Sequence, residues 1–291
     1  MGEISIGDIV GRKSYQMDIF FKVVDIVGEG SRARAFLKGL DVRLCADAPI
    51  EDLELVPLER LRAFRQELVR RNQRCLGDVC SRRDRERAVL LQYRNDNGGA
   101  EEVPFFEIPG CVLHLDGDEE YLEICLNTYK QLDIKATGFC IPEGEIHLRV
   151  RDLLEEHQPD ILVLTGHDGL LKGKSDFKSL ASYRTSSAFV KAVQEARRYE
   201  PDLDDLVIIA GACQSHYEAL IEAGANFASS PQRVLIHCLD PVLLSERVAY
   251  TPINQTVEIA DVLKSTITGV SGVGGVETRG KYRLGFPKSP Y

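Results

Sequence analysis

From Pro109 onward, five short apolar runs alternate with amphipathic ones, and no other feature narrows the fold as far. CVLHLDG at 111–117, IKATGFC at 134–140, DILVLTG at 160–166, DLVIIAG at 205–211 and RVLIHCLD at 233–240 have the length and composition of strands. Between them, Glu119–Gln131, Glu145–His157, Ser187–Tyr199 and His216–Ala223 carry a helical period. Strand and helix in succession build a mostly parallel sheet covered by helices. In open sheets of that kind, ligands and catalytic groups collect at the carboxyl ends of the strands. The residues immediately past each strand are therefore where chemistry is expected.

The first 57 residues are patterned differently. IGDIVGRK, DIFFKVVDIVG, RARAFLKG and DVRLCAD are short, alternating and separated by glycine-bearing turns, which predicts a small SH3-like β-barrel over 1–57. After Pro57, Leu58, Leu61, Phe64 and Leu68 recur at helical spacing, and RNDNGGAEE at 94–102 has the composition of a flexible link. Residues 58–104 thus read as a helical arm and linker, and 105–291 as the α/β domain. GVSGVGGVETRG lacks the spacing of a phosphate-binding loop and reads as a loop near the C-terminus, a candidate wall on the substrate side.

Composition removes several classes of function. A net charge of −9 argues against a nucleic-acid partner. The charge is uneven, however: eleven arginines against five acids between Glu59 and Arg94 make that segment +6. The ordinary reading of such a run is a solvated face. MGEISIGDIVGRKSYQ has no apolar core of the signal-peptide kind, and no stretch reaches the roughly 18 apolar residues of a membrane span, so a soluble cytoplasmic protein is expected. The eight cysteines then read as reduced thiols. Cys75 and Cys80 have no second pair at zinc spacing, and no cofactor is required.

Two strand ends stand out. ILVLTG runs into His167-Asp168-Gly169, and LVIIAG runs into Ala212-Cys213-Gln214-Ser215. If these strands are neighbours, a nucleophile and a base emerge at one edge. The thiolate is the attacking species and an ordinary cysteine titrates near ~8.5, so a nearby imidazole must take or share the proton. A cysteine between a strand and a helix also lies beside unpaired backbone N–H groups, which makes those of Cys213, Asp168 and Gly169 candidates for an oxyanion hole. The plain alternative is a buried thiol and a hydrogen-bonded loop histidine. His216 could compete as the base but suits a supporting role; His114 reads as a satisfied core residue, and His147 and His157 as surface positions on a helix.

The same two motifs resemble caspase-like and gingipain-like cysteine peptidases, in which one strand ends in His-Gly and a later one in Ala-Cys or Gly-Cys. Here Ala212-Cys213 fits, whereas Asp168 stands where those families have glycine. IGDIVGRKSYQMDIFFKV, PGCVLHLDGDEEYLEICLNTYK, PDILVLTGHDG, LVIIAGACQSHYEALIEAGANFASSP and GGVETRG further resemble, in order and over nearly the whole chain, the YabG family of sporulation-specific cysteine proteases. The resemblance implies a caspase-like three-layer sandwich with Cys213 as nucleophile and His167 as base. It also implies an endopeptidase of the sporulating mother cell, associated with the spore coat, that trims coat and related proteins after Arg or Lys and cleaves itself. A pocket for a basic side chain needs a carboxylate. Asp116 and Asp118 follow the first strand, where Asp116 serves equally as pocket or helix start and Asp118 better as helix start. Gln214, beside the nucleophile, joins them as a substrate-binding candidate. The rival readings are a cysteine amidase, disfavoured because Gly211-Ala212-Cys213-Gln214-Ser215 ends in serine rather than glycine, and a non-catalytic coat or regulatory protein that binds partners through its N-terminal barrel.

Overall fold

A computed structural model describes residues 4–28, 30–96 and 105–289. The chain divides into two units, 1–73 and 74–291.

In the first unit, β1 (Ile9–Arg12), β2 (Phe20–Val27), β3 (Arg34–Gly39), β4 (Cys45–Pro49) and β5 (Leu53–Leu55) form one antiparallel sheet in the order β4-β3-β2-β1-β5. Alternation along these strands turns Val10, Phe21, Val23, Ala35, Leu37, Ala48 and Leu53 into a common core. Helix α1 (Leu58–Asp96) follows Pro57. Its Leu61 and Phe64 pack with Phe20 in this unit. The helix is longer than its sequence pattern predicts: it runs through Asp96, and the rest of the expected link, 97–102, lies outside the described residues.

The second unit continues with β6 (Phe106–Ile108), β7 (Val112–Asp116), α2 (Glu119–Gln131), β8 (Ala136–Cys140), α3 (Ile146–His157), β9 (Ile161–Thr165), α4 (Ser186–Tyr199), β10 (Val207–Ala210), α5 (Tyr217–Glu222), β11 (Phe227–Ser229), α6 (Asp240–Tyr250), β12 (Thr256–Val257), α7 (Ile259–Ser265), β13 (Val273–Gly275), β14 (Thr278–Arg279) and β15 (Arg283–Gly285). A six-stranded sheet runs in the order β13-β11-β10-β9-β7-β8, parallel except for β13. β6 pairs with β15 and β12 with β14, both antiparallel. Every residue of β7, β9 and β10 is buried, because both faces of the sheet are covered. One face packs against α2, α6, α7 and Val79 of α1, the other against α3, α4 and α5.

Two expectations fail. RVLIHCLD at 233–240 is not a strand: the fifth parallel strand is Phe227–Ser229, and the later run is an irregular segment that turns into α6. Ser230 and Arg233 take left-handed backbone conformations, which break a strand, while Ile236, Cys238 and Leu239 are buried as a lining. Conversely, part of the glycine-rich text is a strand. A Cβ on Gly275 would lie 2.4 Å from the Asn226 carbonyl, so β13 needs glycine to approach β11.

Candidate active site

The parallel part of the sheet has the order 2-1-3-4-5, whose switch point lies between β7 and β9. Asp116 is in register with Thr165, and Leu164 with Ala210. Counting three residues on from the second pair leads to His167 on one strand and Cys213 on the other. The two chain ends leave the sheet together, with the Gly211 N–H still donating to the Leu164 carbonyl at 3.0 Å.

Cys213 is fully buried, and the Ile236 N–H points at its Sγ at 3.2 Å. Its loop is folded on itself: Ala212 N–H donates to Ser215 Oγ at 2.9 Å, and Gln214, in a left-handed conformation, donates from its N–H to Ser230 Oγ and the Val234 carbonyl, both at 3.1 Å. Gly211 has a φ of 106°, and a Cβ there would meet Leu220 at 2.9 Å. Only glycine makes that turn.

His167 lies between two carboxylates. Nε2 faces Asp118 Oδ2 at 3.3 Å, Nδ1 faces Glu143 Oε1 at 3.5 Å, and the His167 backbone N–H donates to the same Glu143 oxygen at 2.8 Å. Burial acts to raise the Glu143 pKa, but the hydrogen bonds from the His167 ring and backbone outweigh it and hold the carboxyl below its usual range.

Asp168 does not orient His167. Its carboxylate accepts from Gly169 N–H at 2.8 Å, Thr185 N–H at 2.9 Å, Ser215 Oγ–H at 2.9 Å and the Ser186 hydroxyl, so it fastens the His167 loop to α4 and to the Cys213 loop. The Gly169 N–H, an oxyanion candidate, is thereby committed to its neighbour. Gln214 Oε1 lies 3.4 Å from where a Gly169 side chain would begin, so those two candidates meet.

Asp116 has no exposed surface. Its Oδ2 accepts from Thr165 Oγ–H at 2.8 Å and lies 3.4 Å from His114 Nε2, and its Oδ1 accepts from Asp118 N–H at 2.9 Å. Asp118 caps α2 by accepting from Tyr121 N–H at 3.1 Å, so its carboxylate serves helix and histidine together. His114 is the enclosed core residue its strand position predicts, and His216 caps α5 through Nδ1.

The YabG peptidase U57 family model matches residues 5–287. The chain belongs to that family. A relative, the sporulation-specific protease YabG of Bacillus subtilis (strain 168), is 42% identical over 297 residues and is matched over 98% of each chain. The YabG family carries a protease role in sporulation. Among the described residues, no helix is long and apolar enough to cross a membrane.

Reading the sequence of this YabG-family chain by motif misses Glu143. It follows β8 just as His167 follows β9, so the rule that chemistry collects past strand ends points to it, but FCIPEGE resembles no catalytic motif. Ser186 and Ser215, which anchor Asp168, carry no sequence signal at all.

Proposed function

We propose that the chain is a cysteine endopeptidase with Cys213 as nucleophile and His167 as general base and acid. The observation that carries this reading is the register of β9 and β10, which sends both residues off one sheet edge at the same step. His167 takes the thiol proton while Sγ bonds to the scissile carbonyl carbon. The oxyanion falls to the N–H groups of Cys213 and Asp168, with Gly169 available if it leaves the Asp168 carboxylate. As the carbon–nitrogen bond breaks, His167 protonates the leaving amine; it then deprotonates a water that releases the thioester and returns the proton to sulfur.

The order 2-1-3-4-5 closed by an antiparallel sixth strand supports a caspase-like sandwich, and a meander whose fifth strand returns beside the first supports an SH3-like unit.

Cleavage after Arg or Lys is supported by the carboxylates at this edge. Burial raises the Cys140 thiol pKa, and Asp116, Glu119, Asp118 and Glu143 push it further up, which places four acids around the ends of β7 and β8. Glu119 is exposed and Asp118 borders His167, whereas Asp116 is fully buried and would act through its field. The substrates are coat and other sporulation proteins in the mother cell, and the exposed arginines of α1 are accessible sites for self-cleavage.

The test is incubation of wild-type, Cys213→Ala and His167→Ala proteins with an Arg-rich polypeptide under reducing conditions, with fragments read by mass spectrometry. Cleavage by wild type alone, after Arg or Lys, is expected. Equal cleavage by all three overturns the dyad, and none by any favours a binding protein.

A further inference from the structure

We infer that Glu143 is the positioning residue for His167: it holds the Nδ1 side of the ring, fixes the tautomer with the proton there, and leaves Nε2 to exchange the thiol proton. This rests on the Cys213–His167 reading above.

Three observations converge on Glu143. Its Oε1 takes both the backbone N–H of His167, at 2.8 Å, and the Nδ1 side of the ring, at 3.5 Å, so one oxygen fixes both main chain and imidazole. The space it occupies is cut for it by two glycines at neighbouring strand ends. A Cβ on Gly117, after β7, would fall 2.3 Å from the Glu143 carboxylate, and one on Gly166, after β9, 2.5 Å from Oε1. Finally, its bonds to His167 outweigh burial and keep it ionised through the neutral range. A histidine whose one nitrogen donates to a carboxylate is locked in tautomer and made more basic at the other.

Asp118 is built differently. One of its oxygens is spent on the α2 N-terminus, and the other meets Nε2 at 3.3 Å, on the side where the proton must come and go. It suits charge stabilisation of the imidazolium rather than orientation. The titratable groups that face His167 are Asp118 and Tyr121 from α2 and Glu143 after β8, and the thiol followed in the test is that of Cys213.

The experiment follows alkylation of Cys213 by iodoacetamide against pH, located by mass spectrometry, in the full-length wild type, Glu143→Gln and Glu143→Asp. Peptide kcat and KM are measured alongside. Gln keeps an acceptor for the His167 N–H but loses the charge. We expect Glu143→Gln to shift the acid limb of the alkylation profile upward by about one pH unit. Its kcat should fall roughly 10²-fold with KM within about twofold, and Glu143→Asp should recover part of both. A Glu143→Gln profile that superimposes on wild type overturns the inference while leaving the peptidase intact. Cleavage that survives Cys213→Ala removes the underlying reading instead. Should Glu143→Gln fail to fold, or the buried Cys213 thiol resist iodoacetamide in the wild type, ¹⁵N NMR of histidine-labelled wild type decides: a neutral His167 protonated at Nδ1 is expected, and one protonated at Nε2 overturns the assignment.

Discussion

Asp168, directly after His167, carries a carboxylate that ties separate segments of the site together. It is 6% exposed and satisfies two backbone N–H groups and two hydroxyls from three separate segments. Asp168→Ala should cost about 2–4 kcal/mol, since several buried donors lose their acceptor together. It should also lower kcat, because the Cys213 loop hangs from Ser215; thermal unfolding and peptide assays read the two effects. Glu143 gives a pH prediction. Its folded-state pKa is depressed, so its carboxylate adds stability that is fully present above the ordinary glutamate range and is lost as pH falls through the lower folded value. The stability gap between wild type and Glu143→Gln should therefore be widest near neutrality and close in acid, as urea unfolding at stepped pH would report.

At the scale of elements, the Arg-rich helix does more than its charge pattern indicates. In the second unit, fully buried Glu246 of α6 receives Arg82 at 2.5 Å and Arg83 at 2.6 Å, and the Arg83 guanidinium stacks over the Tyr250 ring, 3.4 Å from its centroid. Arg247 pairs in turn with Glu86 at 2.7 Å. Part of the +6 run is thus neutralised by α6 rather than by solvent. Removing one side of a buried pair is expensive; because Arg82 and Arg83 keep partial contact with water, Glu246→Ala should destabilise by about 2–4 kcal/mol in chemical denaturation. The turn from β10 to the Cys213 loop is equally constrained. Gly211→Ala adds a Cβ 2.9 Å from Leu220 at a left-handed φ and should cost about 1–3 kcal/mol, with activity lost ahead of the fold.

Across the whole molecule, the unit boundary falls inside a continuous helix, between residues 73 and 74, whereas composition places the start of the α/β domain at 105. Val79 belongs to the core on one face of the large sheet, and Arg82 and Arg83 answer Glu246. A fragment of 74–291 should therefore unfold cooperatively, while 105–291 should be markedly less stable or insoluble, having lost a core residue and orphaned a buried carboxylate. Calorimetry of the two fragments checks this, and equal stability would return the boundary to 105.

Local sequence is enough for features that depend on neighbours along the chain. Apolar runs flanked by amphipathic ones specified four of the five parallel strands and α2 through α5 nearly to the residue, and Asp118 announced itself as a helix cap. Strand ends at His167 and Cys213 were legible because a sheet edge is where strands stop. Tertiary structure decided what depends on approach between distant segments. The apolar run at 233–240 became a buried lining because Ser230 and Arg233 bend the backbone, and a glycine-rich stretch became a strand because Gly275, without a Cβ, can lie against Asn226 and Phe227. The roles of Glu143 and of the Asp168 anchors were illegible for the same reason: a carboxylate takes its role from the hydrogen-bond donors that folding brings to it, and 24 residues separate Glu143 from His167.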